Sequence, residues 1–138
     1  MRKLIFAGLL LLASLAGAEQ KYRAGDLDIH YVVFNSNYLQ PATATAVGIE
    51  RSGRLALLNV SLVRNGQGEK GQVSGTVTNL LGQSRQLEFK EIDEQTAVYY
   101  IAPVKLDSRE VLRFDLRITD GKQQQHSINF NQEVFPDP

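Results

Sequence analysis

Leu112, Phe114, Leu116 and Ile118 alternate with Arg113, Asp115 and Arg117 without a break. Side chains of a strand point to opposite faces at period two. Such a run therefore has one apolar and one solvated face and does not suit a helix, whose faces repeat every 3.6 residues. The pattern recurs along the chain. Leu55–Arg64 carries Ala56, Leu58, Val60 and Leu62 on one face, and Gln72–Thr78 carries Val73, Gly75 and Val77. Arg85–Ile92 turns Leu87 and Phe89 inward, and Gln123–Asn131 turns His126, Ile128 and Phe130 the same way. Thr96–Pro103 is apolar on both faces, as expected of a strand covered on both sides, and Pro103 should end it. Gly75 inside a strand marks a bulge or a close backbone approach.

Leu27–Asn35 is the first of these runs, with Leu27, Ile29, Tyr31 and Val33 on a regular inward face. The opposite face begins polar at Asp28 and His30 and turns apolar at Val32 and Phe34, which calls for a lid. Pro41–Gly48 supplies one. Pro suits the first helical position because its missing N–H would have had no partner there, the alanines favour helix, and Gly48 can adopt the left-handed conformation that ends it. Ala42, Ala46 and Ile49 would form the face laid on the sheet. The alternative for this segment is an irregular loop. Glu19–Asp26 reads as a loose arm and Gln132–Pro138 as a frayed tail.

Asn65-Gly66, Leu81-Gly82 and Asp120-Gly121 punctuate the runs as turns. Seven strands at intervals of about ten residues predict an all-β, seven-stranded antiparallel immunoglobulin-like β-sandwich with one short helix between strands 1 and 2. The Cys…Trp…Cys signature of true immunoglobulin domains is absent, and a small barrel is the alternative.

The N-terminus predicts export. Met1-Arg2-Lys3 is positive, Leu4–Leu15 is apolar but shorter than the roughly 20 residues a membrane-spanning helix needs, and Ala16-Gly17-Ala18 has small-x-small cleavage geometry. Residues 1–18 are thus expected to be a signal peptide cleaved after Ala18. Residues 19–138 would then be a single domain in the periplasm, with no stable membrane insertion. Cleavage removes two of the 15 basic residues against 15 acidic ones, leaving a net charge of −2. That balance argues against a nucleic-acid partner, which usually demands a basic field. The chain has no cysteine, so packing alone must hold it, and thiol chemistry is excluded.

No motif specifies a reaction. The chain lacks a GxSxG elbow and a glycine-rich phosphate loop, and its acids are too scattered to mark a glycosidase pair. The sequence calls for no catalytic residue, cofactor or metal. His30 and His126, with Asp28 beside the first, are the elements of a conceivable two-His-one-carboxylate site in a small-ligand or metal-dependent enzyme or carrier. The leading candidate is instead the excursion Asp28–Ser52. His30, Asn35, Tyr38, Arg51 and Ser52, with Ser36 and Asn37, place donors, acceptors and aromatic surface around one departure from the hairpin pattern. The competing reading is that these groups only cap the helix and satisfy buried backbone. A non-enzymatic module binding an envelope protein or peptide, through a sheet edge or this excursion, is the function expected; a purely structural envelope protein is a weaker option.

The run His30-Tyr31…Phe34-Asn35-Ser36…Leu39…Pro41…Gly48-Ile49…Arg51-Ser52, followed by Ala56-Leu57-Leu58-Asn59-Val60-Ser61, resembles a family of small exported gamma-proteobacterial proteins known as domain of unknown function 4426. The likeness extends over the whole chain after the leader. It implies a single periplasmic domain, and it brings no activity, cofactor or catalytic residue.

Overall fold

Period-two patterning becomes ten strands in the computed structural model, which describes residues 19–137. They are β1 (Gln20–Ala24), β2 (Leu27–Asn35), β3 (Leu55–Arg64), β4 (Gln67–Glu69), β5 (Gln72–Thr78), β6 (Ser84–Gln86), β7 (Lys90–Asp93), β8 (Val98–Lys105), β9 (Glu110–Thr119) and β10 (Gln125–Val134). A 3₁₀ turn at Ser36–Tyr38 and helix α1 (Pro41–Val47) lie between β2 and β3. Two antiparallel sheets result: β1-β2-β3-β8-β7 with β4 paired to β3, and β10-β9-β5-β6. The expected leader lies outside the described residues. No described helix is long and apolar enough to cross a membrane.

The expectation of seven strands is corrected to ten, for three physical reasons. The expected loose arm is β1, which pairs with β2 from Gln20↔Tyr31 to Ala24↔Leu27 and packs Tyr22 against the core. Glycine-spaced Gln67–Glu69 folds back onto β3 as β4. The single strand expected over Arg85–Ile92 is two strands in different sheets, β6 on β5 and β7 on β8. Leu87 and Phe89 lie in the crossing between the sheets and contribute to the shared core from there. The tail is not frayed either. Val134 ends β10 buried, and the Asp137 N–H donates to the Gly53 carbonyl at 2.8 Å.

Pro103 does not end β8, which runs on to Lys105. Leu106 N–H donates to the Arg54 carbonyl, so alternation turns the even residues of β8 toward β3 and the odd ones toward β7. The β7 pairing stops at Lys90↔Ile101, and Pro103 lies beyond it, where the ladder asks for no N–H.

The main core lies between the sheets and joins Leu27, Ile29, Val60, Leu62 and Tyr100 to Phe114, Leu116 and Ile118. A second cluster covers the outer face of the six-stranded sheet, where Val32, Phe34, Leu57 and Ile101 meet Leu39 and Ala44. The lid over Val32 and Phe34 is therefore present, but its buried residues are Ala44 and Val47, while Ala42 and Ala46 face solvent. Gly48 ends α1 at φ +74°, and Lys90 Nζ donates to the Val47 carbonyl at 2.9 Å, placing a cation at the negative end of the helix. Gly75 is a close approach, because a Cβ there would sit 2.4 Å from the Asp115 carbonyl oxygen.

Candidate functional site

The strand ends sort into two poles. Asn35↔Ala56, Leu55↔Lys105, Thr78↔Arg113 and Val134↔Glu110 are neighbours at one of them. The excursion after β2 therefore meets the C-terminal segment there. Asn35 Nδ2 donates to the Phe135 carbonyl at 2.8 Å. Ser36 is fully buried; its Oγ donates to the Ser52 carbonyl and accepts from the Ser52 N–H, both at 2.9 Å. Ser52 Oγ in turn accepts from Arg54 N–H at 3.0 Å. Arg51 Nη1 donates to the carbonyls of Asn37 and Leu39 at 3.2 and 3.0 Å, and Asn37 Nδ2 donates to Asp137 Oδ2 at 3.1 Å.

The structure thus gathers Asn35, Tyr38, Arg51 and Ser52 and leaves His30 out. His30 lies along β2 on the outer sheet face, opposite Lys21 and Ser61, with Nδ1 3.8 Å from Glu19 Oε1. Polar groups of the excursion are largely consumed in tying residues 35–39, 51–54 and 135–137 to one another. What this pole offers to solvent is apolar. Tyr38 is 57% exposed and Phe135 48%. Between them lies a notch of about 250 Å³ lined by Val33, Phe34, Asn35 and Val134. The Arg109 guanidinium sits 4.9 Å over the Phe135 ring and bonds Glu133 at 2.9 Å.

The same pole carries the β5–β6 turn, whose Leu80 and Leu81 are 79% and 84% exposed. Asn79 holds that turn, its Oδ1 accepting from the N–H groups of Leu81 and Gln83 at 2.9 Å each. Every large apolar side chain that stands exposed among the described residues is therefore at this end. Two leucines inside an otherwise polar turn were the available sequence signal.

The opposite pole holds a polar network. Asp120, almost wholly buried, accepts from Lys122 N–H at 2.8 Å and Gln124 N–H at 3.0 Å, and its Oδ2 lies 2.8 Å from His126 Nε2 and 3.4 Å from Arg64 Nη2. Arg64 also forks onto Glu69 at 2.7 and 3.0 Å and pairs with Asp26. Burial alone would raise the Asp120 pKa. The bonds from His126, Gln124 and Lys122 outweigh it and hold the carboxyl at about 2. The Arg64 bond likewise lowers the Glu69 pKa. Asp120-Gly121 reads in sequence only as a turn; its spacing to His126 across that hairpin was the missed signal.

The two histidines do not converge. His30 is on the outer face of one sheet, whereas His126 is buried on the other, edge-on to Tyr22 at 5.7 Å. The described residues include no group of three or more His, Cys, Asp or Glu side chains placed to hold a metal ion.

Comparison with solved structures places the fold among known ones. A DUF4426 family protein from Pseudomonas aeruginosa PAO1 is 38% identical, with a TM-score of 0.81 over 88% of this chain and 98% of that one. A copper-bound variant of FetP from uropathogenic Escherichia coli strain F11 is 11% identical, with a TM-score of 0.58 over 87% and 97%. FetP as isolated after expression in the periplasm of E. coli is 12% identical, with a TM-score of 0.57 over 88% and 96%. At that identity the FetP likeness is one of fold. No curated protein matches. The family model described as a domain of unknown function, DUF4426, matches residues 21–137, and the chain belongs to that family.

Proposed function

We propose that the protein is an exported, non-enzymatic binding module of the periplasm whose contact surface is the pole formed by Tyr38, Phe135, Leu80 and Leu81. The observation that carries this reading is the segregation of exposed large apolar side chains to one end. Clustered apolar exposure rimmed by polar groups is the usual mark of an interaction site, whereas scattered single residues are not. The polar residues of the excursion then serve as its frame: with Asn35, Arg51 and Ser52 spent on backbone, a partner would be held by aromatic and aliphatic contact at the notch. Enzymatic chemistry has no support from these groups, which are occupied in bracing loops.

Two finer readings belong with this proposal. The orders β2-β3-β8-β7 and β10-β9-β5 match the A-B-E-D and G-F-C orders of an immunoglobulin-like sandwich, with β6 beside β5 in the place of C′, which supports that classification. The charged start, short apolar run and Ala16-Gly17-Ala18 support export with cleavage after Ala18; N-terminal sequencing of the purified protein should begin at Glu19.

A photo-cross-linking residue at Tyr38 or Leu81 should capture a discrete envelope partner in intact cells, and one at Lys122, at the opposite pole, should not. Tyr38→Ala with Leu81→Asp should abolish the adduct while stability changes by only about 0.5 kcal/mol per surface position. Equal capture from both poles, or capture indifferent to the substitutions, would sink the assignment.

A further inference from the structure

Apart from three-residue β4, which pairs with β3 alone, the two sheets have four outer strands, and three of them are guarded. β1 has five residues including Lys21 and Arg23, β7 has four including Lys90, Glu91 and Asp93, and β6 has three including Arg85. Short length and charge are the ordinary devices that keep an edge from pairing with another chain. β10 has neither. It runs ten residues, Gln125–Val134, without a proline or a break in its pairing to β9, and its one charged residue is Glu133.

The unguarded side can be assigned residue by residue. Asp120 N–H donates to the Gln124 carbonyl, so in the β9–β10 ladder alternation turns the even residues of β10 toward β9. The N–H and C=O groups of Gln125, Ser127, Asn129, Asn131 and Glu133 line the free edge. β10 pairs with no described strand but β9, so these five N–H groups face no partner strand, and the Glu133 carbonyl accepts only from its neighbour Gln132 Nε2 at 3.2 Å. On the inward face the same edge leaves Phe130 only half-buried, although it packs on Tyr31 and Phe114 at 4.7 and 4.9 Å.

We infer that β10 is a self-association edge, pairing antiparallel with β10 of a second copy of this chain about a two-fold axis at Asn129. The occupant follows from self-complementarity. Among two-fold registers, the one centred on Asn129 pairs every free-edge residue: Gln125 with Glu133, Ser127 with Asn131, and Asn129 with itself. Each such pair exchanges both of its backbone bonds. Glu133 meets a neutral glutamine, so no like charges oppose. On the inner face Ile128 comes opposite Phe130 of the second copy, covering the ring that one chain leaves half-exposed. The same patch serves both partners, as a closed two-fold interface requires. The four-stranded sheet of each copy thereby becomes half of one continuous sheet.

Sedimentation equilibrium of the protein purified as the cell processes it should return twice the single-chain mass, falling to the single-chain mass on dilution. Asn129→Pro removes the central backbone donor of the free edge, together with the side-chain amide that reaches Asp115, and should abolish the dimer. If that variant fails to fold, two double variants at exposed outward positions decide the matter. Ser127→Lys with Asn131→Lys sets lysine against lysine across the axis and should weaken the dimer about tenfold; Ser127→Lys with Asn131→Asp sets lysine against aspartate and should retain it. A single-chain mass for the parent protein at every concentration, a folded Asn129→Pro variant that stays dimeric, or double variants that behave alike would each overturn the proposal.

Discussion

Asp120→Ala is the substitution whose consequences the structure specifies most fully. The carboxylate side chain is 1% exposed and serves Lys122 N–H, Gln124 N–H, His126 Nε2 and Arg64 Nη2. Truncation leaves two turn amides without their acceptor and strips Arg64 and His126 of a buried partner. Removing one member of a buried charged network costs about 3–5 kcal/mol, chiefly from the groups left behind. For a domain of this size each kcal/mol lowers Tm by about 4 °C, so a fall of about 12–20 °C is expected in thermal unfolding at neutral pH. A second arm isolates the charge. The folded pKa of about 2 lies below the ordinary 3.8, so the unfolded chain binds this proton more tightly than the folded one. The resulting stabilisation, about 2 kcal/mol, is complete above about pH 5 and is lost as pH falls toward 2. Denaturant titrations across that window should show a steeper acid loss for the parent protein than for Asp120→Ala, the difference being that increment. Asp120→Asn keeps an oxygen for the two amides but turns its NH₂ toward Arg64, and should fall between the two. A cost below about 1 kcal/mol, or parallel acid profiles, would refute the reasoning.

Two further substitutions test other parts of the frame. Ser36→Ala deletes a buried hydroxyl that serves both the N–H and the carbonyl of Ser52, and should cost about 1–3 kcal/mol by chemical denaturation; amide exchange at Ser52 should accelerate with it. Gly75→Ala drives a methyl against the Asp115 carbonyl at 2.4 Å and Leu116 Cδ2 at 2.9 Å, so about 1–3 kcal/mol should be lost in the same measurement.

The candidate site was legible only in outline. Asn35, Ser36, Arg51 and Ser52 stand out as a polar concentration, and the structure shows them bonded mostly to one another's backbone and to the C-terminal segment. Whether an asparagine is free or spent depends on what the fold brings to it. Asn35 meets the Phe135 carbonyl across 100 positions of chain, a separation no local pattern encodes. Tyr38 stands out in the sequence as aromatic surface of the excursion, whereas its neighbour across the notch, Phe135, escaped for the complementary reason. Phe135 looks like a core residue by type, and only the packing shows that it is not.

Period-two alternation was enough to determine an all-β fold, because strand geometry imposes that period locally. The apolar patch at Val32 and Phe34 was enough to require a lid, and Pro41 and Gly48 were enough to bound it. Tertiary structure alone decided the rest. Leu87 and Phe89 show one alternating pattern whether the chain stays in a sheet or crosses between two, so the split into β6 and β7 rests on which neighbours claim each end. The face of α1 that is buried, Ala44 and Val47 rather than Ala42 and Ala46, was set by the angle at which the helix meets the sheet. Asp120 and His126 gained their charged surroundings only when the hairpin closed beside Arg64 at the end of β3. Local sequence sets the conformations a segment can adopt; long-range packing selects which surfaces are buried, and so which residues are left to bind.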